Sequence, residues 1–281
     1  MMTNDENEPH LAFIGCGVMG EAMVAGLLRK KLVSPDNISA SHPRENRRAE
    51  LADKYEIATY LDNQAAAEEV QGHENSAVII CVKPQRLEQV LKDLNGVLHP
   101  DQLVISIVAG ATIAHLAEEL GTAKIVRAMP NTPSQIGAGV TAWTCTVAVS
   151  EGERAHVREL LSALGKEVFV ESENMIDMAT SLSATGPTYI FMVMEALTDA
   201  GVHMGFSRDM AKELVQETIL GSVRFAMESH LHPAELRNMV TSPGGTSAEA
   251  IYQMEKGTLR TVLSKAVYAA YKRAVDLGKK G

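Results

Sequence analysis

The chain has 281 residues, 46% of them hydrophobic and 22% charged, enough for one large or two ordinary domains around a real core. Its net charge of −9 argues against nucleic acid or an anionic membrane as the main partner, while leaving room for a local anion site. No apolar run is long enough to span a bilayer, and Cys16, Cys81 and Cys145 form neither a disulfide framework nor a metal spacing, which suits a reducing, cytoplasmic compartment.

The first ten residues, MMTNDENEPH, are polar and acidic, unlike a signal peptide, and read as a frayed terminus. Residues 11–14 are a short apolar run that predicts a strand, and residues 19–28 have helical texture. Between them Gly15, Gly17 and Gly20 stand at G-x-G-x-x-G spacing. Gly15 permits a tight turn, Gly17 lets backbone approach a pyrophosphate, and Gly20 lets helix pack against strand. The free N–H groups that open the helix, at Val18 and Met19, then face the phosphates. Without a nucleotide, the same pattern is a plain tight turn.

Residues 38–41 predict the second strand. An acid at its end would bind a ribose 2′-hydroxyl and repel a 2′-phosphate. The chain has instead Ser41-His42-Pro43-Arg44, with Arg47 and Arg48 one turn on. Ser41 can donate to a phosphate and Arg44 can pair with it, so NADPH is expected over NADH, unless this is only a solvated basic helix start. A helix over 44–54 leads to a strand at 78–82 ending in Val82-Lys83-Pro84, where α/β folds bind ligands. Lys83 is either a surface lysine or faces the cofactor.

Helices at 85–94 and 113–120 alternate with strands at 103–108 and 125–129. After the last comes Met129-Pro130-Asn131-Thr132-Pro133, a stiff loop in which Asn131 and Thr132 offer amide and hydroxyl groups toward a nicotinamide. Strands this continuously apolar are buried on both faces, hence parallel. Residues 140–149 and 168–170 add strands around a helix at 151–164.

The texture changes near 172. Helices are predicted at 188–204, 208–229, 233–239, 247–255 and 258–277. The expected fold is α/β, with a Rossmann-type, doubly wound, mainly parallel sheet over 1–172 and an all-helical domain over 173–281. Residues 189–197 (YIFMVMEAL) are apolar around most of the helix, and most of the 14 methionines follow residue 172. Such a helix needs cover on several sides, so a homodimer is expected.

Two motifs stand in the helical half. Ser183-Ala184-Thr185-Gly186-Pro187 starts a helix, with Pro187 near its first turn. Val240-Thr241-Ser242-Pro243-Gly244-Gly245-Thr246-Ser247 starts another, and its glycines and free N–H groups suit a carboxylate.

Together with FIGCGVMGEAM, CVKPQ and RAMPNTP, the stretches SATGPTY and VTSPGGTSAEAI make nearly the whole chain resemble the pyrroline-5-carboxylate reductases. Thr185 stands where that family usually has a second serine, and Ser247 where it usually has threonine; both keep a hydroxyl. The resemblance implies NAD(P)H-dependent reduction of 1-pyrroline-5-carboxylate to L-proline, the last step of proline synthesis. It also implies a helical dimerisation domain that completes the substrate pocket, in a dimer or a ring of dimers. An iminium needs no strong general acid, so orientation is the main task, with the reacting carbons about 3–3.5 Å apart. On this reading the elbow from Val240 through Gly244 binds substrate. The N–H groups of Gly245, Thr246 and Ser247 take its carboxylate. The Ser247 hydroxyl lies near the ring nitrogen or carboxylate, and Thr185 lines the pocket.

A β-hydroxyacid dehydrogenase shares the glycine turn and a helical second domain, but moves a proton with a lysine in the corresponding helix start. Here Gly186-Pro187-Thr188-Tyr189 leads into IFMVMEAL, without lysine. A non-catalytic NADPH-binding protein is the other alternative. No metal is expected: His230-Leu231-His232 is the one close histidine pair and has no acidic or cysteine ligands beside it.

Overall fold

Runs of four apolar residues are buried on both sides only where helices cover both faces of a sheet. The computed structural model, which describes residues 8–279, has this arrangement. Residues 1–7, most of the start read as frayed, lie outside the described residues, but Glu8 is tied down, accepting from Ser34 N–H at 3.1 Å and Asn37 Nδ2 at 3.2 Å. One sheet holds β1 (Leu11–Ile14), β2 (Ile38–Ser41), β3 (Ala58–Tyr60), β4 (Ala77–Ile80), β5 (Leu103–Ser106), β6 (Ile125–Met129), β7 (Gly139–Cys145) and β8 (Gly165–Phe169). Their spatial order is β3-β2-β1-β4-β5-β6-β7-β8. Strands β1 to β6 are parallel; β7 runs antiparallel to β6, and β8 parallel to β7.

Alternation along each strand divides the side chains between two cores. Leu11 and Phe13 of β1 pack on one face with Met23 and Leu27 of α1 (Val18–Arg29) and Leu51 of α2 (Glu45–Tyr55). Ala12 and Ile14 face the other way, toward Ala66 of α3 (Asn63–Glu68), Leu91 of α4 (Leu87–Leu94) and Leu116 of α5 (Ile113–Leu120). The first face is completed by Val157 and Leu161 of α6 (Glu151–Ser162). The register pairs Ile14 with Ile80, Ile80 with Ser106 and Ser106 with Arg127, so the C-terminal ends of β1, β4, β5 and β6 share one edge. The chain builds β2 and β3 on one side of β1, then returns to β4 on the other. In open α/β sheets, ligands bind outside the strand ends at such a switch, here between β1 and β4.

Three α-helices or strands were not expected from the sequence, one of them the six-residue helix Asn174–Ala179. The edge strand β3 is a partly exposed Ala-Thr-Tyr, and α3 is only six residues long. Strand β8 begins at Gly165 rather than at 168. A Cβ there would lie 2.2 Å from the Gly139 carbonyl oxygen, so the two backbones touch where a side chain would block pairing.

Contacts divide the chain beyond the change of texture at 172, into one unit ending at Thr185, which also takes the chain from Ala270 on, and a second spanning Gly186–Ala269. Helix α7 (Asn174–Ala179) and the π-turn Thr180–Ala184 belong to the first, where Ile176 packs with Met129, Ala142 and Val170. The second unit holds α8 (Gly186–His203), α9 (Arg208–Ser229), α10 (Pro233–Met239), α11 (Thr246–Lys256) and most of α12 (Leu259–Gly278). Helices α8 and α9 form a hairpin that closes on Gly201 and Ala211, the residues they bury. Phe191 and Met192 on α8, and Leu214 and Phe225 on α9, stay exposed. No helix among the described residues is long and apolar enough to cross a membrane.

Candidate active site

At the β1–β4 crevice the three glycines have separate reasons. Gly15 has φ +76°, and a Cβ on it would fall 2.1 Å from Val82 Cγ1, so backbone shape and the neighbouring strand both demand glycine. Gly17 is the N-cap of α1 without a side-chain cap, and its Cβ position is open, with nothing nearer than Gly15 O at 3.8 Å. The N–H groups of Val18, Met19 and Gly20 have no carbonyl four residues back within the helix, which leaves them to an anion. A Cβ on Gly20 would lie 2.7 Å from Cys81 Sγ and 3.2 Å from Cys16 Sγ, so this glycine seats α1 on the strand ends. Burial pushes the Cys16 thiol up to about 12 and Cys81 well above its ordinary value, so both are packing groups.

Ser41, expected at a phosphate, has its hydroxyl engaged within the protein. Its side chain is fully buried; the hydroxyl donates to Asn63 Oδ1 at 2.6 Å and accepts from Gly15 N–H at 3.0 Å, while its carbonyl accepts from Cys16 N–H at 2.9 Å. Ser41 therefore shapes the glycine turn from behind. Asn63, unforeseen in the sequence, is fixed in turn by Asp93, 2.8 Å away. Among the three arginines, Arg47 pairs with Glu21 and Glu50, and Arg48 donates to the carbonyls of His42 and Pro43. Arg44 is exposed, and its guanidinium makes no hydrogen bond or ion pair among the described residues. His42 accepts from Arg44 N–H at 3.2 Å, and burial and the neighbouring arginine charges lower its pKa, favouring the neutral ring. Lys83 is exposed at the end of β4, likewise without a partner among the described residues, and Pro84 begins a 3-10 turn.

Asn131 is also turned inward. It is 9% exposed; Oδ1 accepts from Val140 N–H at 2.9 Å, and Nδ2 donates to Ser183 O at 3.2 Å. That commits both ends of the amide expected at the nicotinamide. Thr132 remains exposed at the start of the next 3-10 turn. On β6, Arg127 is 2% exposed and reaches Glu173 at 3.0 Å and Asp177 at 2.7 Å; Glu173 also accepts from Ile113 N–H at 2.7 Å. This ion triad, a buried arginine with two partly exposed acids, clamps α7 to the sheet. Its signal in the sequence is an arginine inside an apolar strand and two acids one helical turn apart. Beyond α7, the Thr185 N–H and hydroxyl both donate to Thr180 O, at 2.9 and 2.8 Å, leaving the hydroxyl oxygen as an acceptor.

In the helical unit, Gly244 has φ +71° and Gly245 N–H donates to Ser242 O at 3.1 Å. Gly245 is the N-cap of α11, again without a side-chain cap, so the N–H groups of Thr246 and Ser247 are uncapped. Val240 is 67% exposed beside them. His232 caps α10, accepting from Ala234 N–H at 3.2 Å, and no cluster of three metal-ligating side chains occurs among the described residues.

Residues 173–277 match the family model described as pyrroline-5-carboxylate reductase dimerisation, and residues 10–110 match the one described as NADP oxidoreductase coenzyme F420-dependent. The chain is similar to the pyrroline-5-carboxylate reductase of Synechocystis sp., with 38% identity over 270 residues, 96% of this chain and 98% of the relative. Among solved structures it is similar to a pyrroline-5-carboxylate reductase from Coxiella burnetii, with TM-score 0.86 and 35% identity, covering 96% of this chain and 99% of that one. It is also similar to Plasmodium falciparum pyrroline carboxylate reductase with NADP bound, with TM-score 0.87 and 29% identity, covering 98% of this chain and 100% of that one.

Proposed function

The chain belongs to the pyrroline-5-carboxylate reductase family, and on that premise we propose which residues carry its NAD(P)H-dependent reduction of 1-pyrroline-5-carboxylate to L-proline. The residues after β1 fit a dinucleotide: Gly17 leaves open space where a side chain would stand, and it begins a helix whose first N–H groups have no side-chain cap. Gly15, Gly17, Val18, Met19 and Gly20 would hold the pyrophosphate, with Val82, Lys83, Pro84 and Thr132 along the same edge. The coenzyme is NADPH: no acid stands at the end of β2, and Arg44 is the one arginine there left unpaired among the described residues. A relative has NADP bound. When bound, the reduced coenzyme supplies the hydride that saturates the imine carbon.

The chain's own task is to orient a small cyclic acid. The Thr246 and Ser247 N–H groups, at the positive end of α11, take the substrate carboxylate, with Val240, Gly244 and Gly245 shaping the elbow. The Ser247 hydroxyl holds the ring nitrogen end, stabilising the protonated imine without a strong acid. The family resemblance separately assigns Thr185, whose hydroxyl oxygen can still accept, to the substrate. A carbonyl or alcohol substrate would need a proton donor, and α8 carries no lysine to provide one. The observation that carries this reading is the uncapped, glycine-built start of α11.

The chain forms a homodimer through its helical part, which leaves the apolar faces of α8 and α9 exposed in a single copy. A larger ring of dimers and a cytoplasmic location complete the proposal. The test is NADPH consumption with 1-pyrroline-5-carboxylate, with a hydroxyacid oxidation assay as control and NADH beside NADPH. Faster turnover with NADH would overturn the coenzyme assignment.

A further inference from the structure

The π-turn Thr180–Ala184 contains a carbonyl that its own helix cannot satisfy in the usual way. Four residues after Ser183 comes Pro187, which has no N–H to return to the Ser183 carbonyl. Asn131 Nδ2 supplies a donor instead, at 3.2 Å. The other end of the same amide accepts from Val140 N–H at 2.9 Å, where β7 begins. One buried side chain thus joins the loop after β6, the start of β7 and the turn that ends at Thr185. Upstream, Arg127 on β6 itself holds α7 through Glu173 and Asp177. Thus β6 fastens α7, the loop after β6 fastens the turn that follows α7, and Thr185, which ends that turn, is fixed by two bonds to Thr180 O. Local departures from α-helical winding of this kind often mark functional sites.

We propose that Asn131 is a positioning residue for hydride transfer: by holding Val140 N–H and Ser183 C=O with one amide, it sets the coenzyme-side loop after β6 against the turn that carries Thr185. The proposal rests on the assignment of Thr185 to the substrate and of the β6 edge to the coenzyme. Asn131 itself touches neither. Loss of the clamp lets the two reacting groups drift apart, and a displacement near 1 Å costs about 100-fold in rate.

The test uses full-length Asn131→Ala, Asn131→Asp and Thr185→Val. Coenzyme affinity is measured by NADPH fluorescence titration, kcat and KM are measured across pH, and thermal melting confirms the fold. For Asn131→Ala, kcat should fall about 10- to 100-fold while NADPH Kd stays within about two-fold. Asn131→Asp is the sharper probe. Its carboxylate accepts from Val140 but cannot donate to Ser183, so it should be as slow as the alanine variant at neutral pH. As pH falls and the acid protonates, one donor and one acceptor return, and its rate relative to the unmodified protein should rise. A flat ratio across pH, or an Asn131→Ala kcat within two-fold of the unmodified protein, overturns the proposal. Should the alanine variant fail to fold, the pH ratio of the aspartate variant decides alone. Unchanged constants in Thr185→Val would remove Thr185 from the substrate site, a different failure, because the pH ratio judges the clamp independently.

Discussion

The starts of α1 and α11 are built to one plan and shaped by different forces. Each opens on a glycine N-cap without a side-chain cap, Gly17 and Gly245, and each carries a glutamate four residues later, Glu21 and Glu249. At α1 the surrounding fold dictates the glycines: Val82 leaves Gly15 no room for a Cβ, and Cys81 leaves none for Gly20. At α11 the turn dictates them. A Cβ on Gly244 would meet nothing within 4 Å, so only its positive φ argues for glycine. A helix start shaped by tertiary contacts tolerates less change than one shaped by its own backbone. Gly15→Ala should therefore weaken NADPH binding more than about 100-fold in a fluorescence titration, since strain and overlap add. Gly244→Ala should cost about 1 kcal/mol of local strain, raising KM for 1-pyrroline-5-carboxylate several-fold while leaving NADPH affinity unchanged. Equal effects from the two variants would break the contrast.

Ser247→Ala sharpens the same comparison from the substrate side. Its kcat/KM should fall about 10- to 100-fold with NADPH Kd unchanged, since a hydroxyl to a charged ligand contributes about 1.5–3 kcal/mol. Unaltered kinetics would remove Ser247 from the site. Arg44→Ala acts at the other start and more weakly. The ratio of kcat/KM for NADPH over NADH should drop about ten-fold, near 1.4 kcal/mol, and a ratio that holds would end the assignment of the 2′-phosphate to Arg44.

What could be read from the sequence follows the same divide. Strands β1, β2, β4, β5 and β6 are buried at every position; β1 and β4 are unbroken apolar runs, and the others are apolar apart from Ser39, Ser41, Ser106 and Arg127, so all five were legible, as was α10, which begins at Pro233. Strand β3, exposed at the edge, left no such run. The glycine turn was legible because positive φ and close approach admit one residue type. Ser41 and Asn131 were not, because a hydroxyl or an amide serves equally well facing a ligand or facing inward. The choice depended on Asn63 and Ser183, whose approach no local pattern announces. Arg127 looked like part of a strand until Glu173 and Asp177, far along the chain, folded onto it.

The smallest expected effect separates the two glutamates. Glu21 accepts from Arg47, from Lys54 at 2.9 Å and from Tyr55 at 2.8 Å, tying α1 to α2, whereas Glu249 is exposed and accepts from Gln253 on its own helix. Burial alone would raise the Glu21 pKa, but the hydrogen bonds from Arg47, Lys54 and Tyr55 outweigh it and hold the carboxyl at about 2, against an ordinary 4.5. A carboxylate depressed by folding stabilises the folded state fully above its unfolded value, and that contribution disappears as pH falls from 4.5 through about 2. Urea midpoints followed from neutral pH down through this window should show an acid-labile component of about 1 kcal/mol, kept small by the exposure of Lys54. Glu21→Gln should lose that component, and Glu249→Gln should retain it. If the Glu21→Gln profile ran parallel to that of the unmodified protein, the two helix starts would be anchored alike, and the rigidity ascribed to the first would have to come from its glycine contacts alone.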